Sequence, residues 1–579
     1  MFRLKRLLAI LPIALLVASL ATPSAQLTAQ RTAENTPRLA QADLESMAAL
    51  MPSDSALFFA LRTDDNYIEL LDSLIQKVYD TLPRFTLPNF SLKDLLDLLA
   101  QQALGGDFQT KIRTWLGDNI AFAVGSPSKL FDMNPRNDTE TEIVLAIQIV
   151  NRAEFEATFE SLADPRGYNK TRSAEFTDYE DAQQPILMRV SETLVLLGTK
   201  AGVNSTLNRA AKLNANAQFK QTVGALPDST YNIFAYVNLS ELQQPLTMLL
   251  PRDQRDLLRT LTAPFAIGAT ILDGRSLVLD FAIRNTEIVS DFGLDKPVNP
   301  DFARWMPADT VLSIHLRDLS AYYQAFLSAL RLTISGEAAL RAFELALQQF
   351  EDALRASLGL DLNEDILSWL TGDFAFFVAH TPQERSLLEL GIDPSLRLPF
   401  VGYDFGLVTE ATDPEKVAKL IAALGDALEV SLRNAPNATV TADEKRITIT
   451  INVPNLTTPV EVAIGFNDSV FYIATGAAAA HIESGAEGFL TAAGYREARQ
   501  YLLPESSQVL YMGSDAVNLF AEFLALQESE RFGLFSAPEF FRNTRFQAQF
   551  FAKLLSSSSI SLAVRDDFQV MRAVLTLPE

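Results

Sequence analysis

Residues 112–124 read IRTWLGDNIAFAV, and residues 366–378 read ILSWLTGDFAFFV. Trp115 matches Trp369 and Phe122 matches Phe376 at one offset. The likeness extends in both directions from these blocks. Upstream, MPSDSALFFAL at 51–61 parallels MPADTVLSIHL at 306–316. Downstream, LAIQIVNRAEFEAT at 145–158 parallels LVTEATDPEKVAKL at 407–420, and ETLVLLGT at 192–199 parallels DSVFYIAT at 468–475. LPDST at 226–230 parallels LPESS at 503–507. Both series close on a pair of apolar runs, at 265–283 and 559–577. Recurrence of six blocks in one order is the signature of an internal repeat. It predicts two tandem domains, at 48–290 and 300–579.

The blocks also predict what each domain is made of. In 311–317, Leu312, Ile314 and Leu316 alternate with Ser313, His315 and Arg317, as in a strand with one buried face. Leu71, Leu74, Ile75 and Val78 fall on one face of a helix, and Leu340, Phe343, Leu347, Phe350 and Leu354 form a similar stripe. Asn151 and Asp413 stand where a helix begins after a strand, and their side chains suit an N-cap. The closing hairpins turn at Asp273-Gly274 and Asp566-Asp567. Strands that follow one another without intervening helices pair antiparallel. Each copy therefore reads as an α+β domain, a mainly antiparallel sheet with helices covering one face.

The chain has 579 residues, 48% hydrophobic and 21% charged, which is globular composition spread over more than one core. Its formal net charge of −23 repels phosphate backbones and anionic lipid, and argues against nucleic-acid binding. There is no cysteine, so disulfides, thiolate metal sites and thiol nucleophiles are excluded. At the N-terminus, Arg3, Lys5 and Arg6 precede an apolar run from Leu7 to Leu20, followed by small residues. Residues 1–25 thus read as a secretory signal peptide, cleaved near Ser19-Leu20-Ala21, or as an uncleaved anchor. Residues 26–47 read as a flexible tether. The expected location is extracytoplasmic, with membrane contact only through an uncleaved N-terminal segment.

Around the tryptophans, IRTWLGDNIAFAV preceding LAIQIVNRAEFEATFESL resembles the bacterial family called domain of unknown function 3352. That family joins an export signal, an opening P-x-x-[ST] strand and a D/E-x-x-x-W-[LI]-G-[DE] block. The second copy fits at Asp365, Trp369, Gly372 and Asp373, with Thr371 inserted before the glycine. The first copy has Trp115, Gly117 and Asp118, but Lys111 in place of the leading acid. The resemblance implies an exported protein. It carries no activity and no catalytic residue across.

No residue set reads as a catalytic or metal centre. Asp361-Leu-Asn363-Glu-Asp365 starts like a calcium loop, but Ile366 and Gly372 occupy the positions that need glycine and a bidentate glutamate. An acidic helix start explains the run. Ser126-Pro-Ser-Lys129 has the S-x-x-K spacing without its partner motifs and reads as a surface loop. His315, His380 and His481 each lie near a carboxylate in sequence (Asp318, Glu384, Glu483), yet the first copy has Ala60 opposite His315. The acidic runs Asp64-Asp65, Asp178–Asp181 and Asp566-Asp567 read as solvated turns. Trp115 and Trp369 read as core aromatics on short helices. The phenylalanines between 520 and 551 are the unusual stretch. Phe532, Phe535, Phe540, Phe541 and Phe550 are the candidate surface for an apolar ligand or a partner.

These observations point to a non-enzymatic binding or scaffolding protein of the cell envelope, with no cofactor and an envelope partner or ligand of undefined class. The alternatives are a hydrolase-type enzyme whose site forms only in three dimensions, and a carrier of an apolar ligand through segment 520–551.

Overall fold

The computed structural model describes residues 39–81, 91–125, 142–163, 167–208, 212–228, 230–242, 263–272, 274–284, 296–334, 336–380, 402–452, 459–467, 469–516 and 556–578. The chain divides into two units, Met1–Asn285 with Arg565–Glu579, and Thr286–Val564. Among the described residues, no helix is long and apolar enough to cross a membrane.

The strands of the first unit are β1 (Leu57–Arg62), β2 (Leu116–Val124), β3 (Ile143–Ile149), β4 (Tyr168–Arg172), β5 (Thr177–Asp181), β6 (Ile186–Val190), β7 (Leu194–Thr199), β8 (Ile233–Val237), β9 (Phe265–Leu272) and β10 (Ser276–Arg284). Those of the second unit are β11 (Thr310–Arg317), β12 (Asp373–His380), β13 (Tyr403–Glu410), β14 (Ala438–Ala442), β15 (Arg446–Ile451), β16 (Val460–Phe466), β17 (Val470–Thr475), β18 (Gln508–Gly513) and β19 (Ser557–Arg565). A last strand, β20 (Phe568–Thr576), belongs to the first unit.

Within the first unit the strands run β4-β5-β6-β7-β3-β2-β1-β8-β9-β10-β20, antiparallel throughout. Within the second unit they run β14-β15-β16-β17-β13-β12-β11-β18-β19, also antiparallel throughout. Antiparallel sheets with added helices make the class α+β, as the blocks imply. The domain boundary at 300–579 changes at its end. Residues 565–579 group with the first unit, where β20 pairs with β10 from Ser276↔Thr576 to Arg284↔Phe568. A buried ion pair reinforces that seam. Arg572 Nε donates to Asp280 Oδ1 at 2.7 Å, and Asp280 is fully buried. Tyr231 also donates to Asp280.

The helix starts follow their caps. Asn151 accepts from Glu154 N–H ahead of Arg152–Leu162, and Asp413 accepts from Lys416 N–H ahead of Pro414–Leu432. The hairpin residues Gly274 and Asp566 both have positive φ, as tight turns require.

The alternation read in 311–317 is corrected. Ile314 is 41% exposed, whereas Ser313 and His315 are buried. The reason is that the face carrying Ser313 and His315 is covered, with Phe302 stacked over the His315 ring, while the opposite face is covered at Leu312 and Leu316 and open at Ile314. Ala375, Phe377 and Ala379 enter one apolar cluster with Phe302 and Tyr472, while Val378 joins Leu312 and Ala516 in another. A strand buried on both faces loses the simple in-out pattern.

Candidate functional site

The first unit holds an apolar cavity of about 140 Å³. It lies among helix α1 (Asp65–Thr81), helix α2 (Leu92–Leu104), the π-helical turn Gln109–Arg113, and residues of β1, β2 and β3. Leu92, Leu96, Leu99, Ala100 and Ala103 recur at helical spacing along α2 and supply one wall. Ile68 and Leu71 supply another, and Leu61, Ile120 and Ile147 project from the strands. Phe108, Ile112 and Trp115 complete the lining.

Short polar contacts fix the helices that form these walls. Ser91 accepts from Asp94 N–H and Asp94 accepts from Ser91 N–H, a capping box at the start of α2. Gly105 ends the helix with φ 70°, a left-handed conformation that glycine adopts without steric cost. Asp72 of α1 accepts the first amide of α2, Leu92 N–H, at 2.5 Å. Asp97 accepts Phe108 N–H at 2.8 Å. Arg113 pairs with Asp65 at 2.8 Å and donates to the Thr63 carbonyl, which ties the π-helical turn to α1 and β1. The contacts of Asp72, Asp97 and Arg113 each join two parts of the lining.

Two polar residues at the cavity's edge, Arg62 and Thr63, are bonded elsewhere. Arg62 Nε donates to Asp64 at 2.6 Å, and Thr63 Oγ1 donates to the Gly117 carbonyl at 2.7 Å. Burial, and then the nearby Asp64 carboxylate, pushes the Tyr67 phenol up, so it stays neutral. About 150 Å³ of apolar space suffices for benzene or xenon.

Both tryptophans sit at the same step of their units, just before the strand that starts at 116 or 373. Trp115 Nε1 donates to the Lys111 carbonyl and Trp369 Nε1 to the Asp365 carbonyl, four residues back in each case. Trp369 is 1% exposed and packs edge-on against Phe471. Trp115 is half-buried, packs edge-on against Phe155, and turns toward the cavity. Core packing accounts for Trp369 fully and for Trp115 in part.

The structure reassigns every histidine partner. His315, read as lying on a polar face, is buried, and its Nε2 lies 3.0 Å from Asp373 Oδ1 rather than near Asp318. Phe302 stacks over its ring. Asp373 also accepts Asn299 N–H at 2.8 Å, so the pair anchors the start of the 3₁₀ turn Pro300–Trp305. His380 bonds Asp515, and His481 bonds the Arg304 carbonyl. Glu483 instead accepts from Tyr472 and Arg446.

Two of the acidic runs are likewise structural, while Asp566 and Asp567 are exposed at their turn. Asp64 is buried against Arg62 and accepts Tyr67 N–H, so it is not a solvated turn residue. Asp178 takes both arms of Arg189 at 2.7 Å, and Glu180 pairs with Lys200. Asp361 caps the π-helical turn Leu362–Ile366 and Asp365 pairs with Lys419, which supports the acidic helix start. Among the described residues no three His, Asp or Glu side chains form a metal-binding group. Ser126–Lys129, and Phe532, Phe535, Phe540, Phe541 and Phe550, lie outside the described residues.

The comparisons with known proteins agree with the motifs around the tryptophans. No curated protein and no solved structure matches the chain. A family profile described as protein of unknown function (DUF3352) matches residues 10–528, nearly the whole length, and the chain belongs to that family.

Proposed function

We propose that this is a non-enzymatic binding protein of the cell envelope, and that its first unit holds a compact apolar ligand in the cavity beneath α2. The observation that carries this reading is the cavity itself, about 140 Å³ lined by leucine, isoleucine and aromatic side chains. A ring of benzene size, or the end of one alkyl chain, fits that volume and chemistry. The charged clusters around Arg152 and Arg572 favour a structural role, since each is internally paired. Arg152 joins Glu156, Glu192 and Thr177, and Arg572 joins Asp280 and Asp228.

Export is part of the proposal and rests on the basic-apolar-small layout of residues 1–25. So is descent of the two units from one duplicated domain. The six recurring sequence blocks support it, as does the shared strand order, in which β14-β15-β16-β17-β13-β12-β11-β18-β19 repeats the order of β4-β5-β6-β7-β3-β2-β1-β8-β9.

The test is calorimetric titration with benzene and with n-octanol. One saturable site per chain is expected, and it is lost in Ala100→Leu, which fills the cavity. Absence of saturable binding, or equal binding by the variant, would refute the assignment. Fractionation of the producing cell tests export, and intact chain found in the cytoplasm would overturn that part.

A further inference from the structure

The two units carry chemically different outer strands. The first unit ends on β4, which presents Lys170 and Arg172. Charged side chains on an edge block the addition of another strand. The second unit ends on β14, Ala438-Thr439-Val440-Thr441-Ala442. It has no charge and no proline, and its sequence reads the same in both directions. Among the described residues it pairs only with β15.

The ladder shows which backbone groups of β14 face outward. Asn452 N–H donates to the Asn437 carbonyl at 2.7 Å, and Asp443 N–H donates to the Arg446 carbonyl at 2.8 Å. In an antiparallel strand, a residue's N–H and C=O point to one side, and the side alternates. The odd-numbered residues 437–443 therefore serve β15, while Val440 and Ala442 turn both backbone groups, and Ala438 its carbonyl, to the open edge; the Ala438 N–H donates to the Ala435 carbonyl at 3.4 Å. The side chains alternate as well. Val440 packs into the cluster beneath the helix Pro414–Leu432. Thr439 and Thr441 are exposed, opposite Thr450 and Thr448.

We propose that β14 is a self-complementary edge through which two copies of the chain pair antiparallel, about a two-fold axis at Val440. In that register Val440 meets Val440 of the second copy, and the two exchange both backbone hydrogen bonds. Ala442 of each copy meets Ala438 of the other, and its N–H reaches that residue's carbonyl. Thr439 meets Thr441, which prolongs the threonine ladder already formed with Thr450 and Thr448. Charge permits this meeting in a chain of net charge −23, because Asp443 falls opposite Asn437 and no acid faces an acid. The same operation on β4, centred on Lys170, would set two lysines against each other. One copy of the domain carries the charge that blocks pairing, and the other lacks it. This inference is independent of the cavity.

Sedimentation of the purified protein over a range of concentrations tests it. The mass is expected to rise from one chain to two, and Thr439→Lys/Thr441→Lys to remain a single chain with an unchanged circular dichroism spectrum. The absence of cysteine allows a second readout. In Thr439→Cys/Thr441→Cys the paired positions would lie about 4.5 Å apart across the axis, within disulfide reach. Oxidation should then give a covalent dimer. A protein that stays a single chain at every concentration would overturn the proposal. So would a dimer that survives the lysine variant and gives no cross-link in the cysteine variant.

Discussion

Replacing Ala100 with leucine should stabilise the first unit, against the usual cost of enlarging a buried side chain. Ala100 is 2% exposed on α2 and borders the cavity. In a filled core, overpacking costs about 1–3 kcal/mol. Here the added carbons enter empty space. Three of them at about 0.8 kcal/mol each give about 2.4 kcal/mol. Restricting a leucine rotamer takes back about 0.5–1 kcal/mol. The net gain is about 1.5–2 kcal/mol. The whole 140 Å³ sets a ceiling of about 3.4 kcal/mol, at about 24 cal/mol per Å³ of cavity. The expected rise in Tm is about 3–6 °C for the transition of that unit. Differential scanning calorimetry of the ligand-free protein reads it directly. A fall in Tm would show that the space is not there to be filled, and the cavity reading would fail with it.

Two further outcomes follow from the buried charges. Arg572→Ala should cost the first unit about 3–5 kcal/mol, because it leaves Asp280 charged and fully buried without its partner. Arg572→Met/Asp280→Leu should recover much of that loss, and equal destabilisation by both would refute the ion-pair argument. Burial opposes ionisation of Glu156, but hydrogen bonds from Arg152 and Thr177 outweigh it and hold the carboxyl below its ordinary value of 4.5. A carboxyl lowered on folding stabilises the protein above its unfolded value, and that stabilisation is lost as pH falls through the folded one. Urea midpoints between pH 7 and pH 3 should therefore fall less steeply in Glu156→Gln than in the natural chain, and parallel slopes would contradict this.

The parts of the fold legible in the sequence are those set by local chemistry. Asn151 and Asp413 cap helices because their oxygens reach amides three residues on. Gly274 and Asp566 turn hairpins because the turns need positive φ. The parts that stayed hidden depend on residues far apart in the chain. His315 and Asp373 are 58 positions apart, and neither local window shows the other. The seam between β10 and β20 joins residues nearly 300 positions apart, such as Asp280 and Arg572. The cavity is hidden for another reason. Leu96, Ala100 and Leu71 have the spacing of ordinary core residues, and periodicity reports which face is apolar but not whether the facing walls meet. The one local hint was the density of leucine in LKDLLDLLAQQAL at 92–104, an apolar face wider than packing on a sheet requires.

The most direct measurement is a crystal structure of the protein under xenon pressure. The account predicts a bound atom inside the first unit, among Leu71, Leu96, Ala100 and Ile120. Side chains filling that space, with xenon absent there or bound only elsewhere, would contradict it.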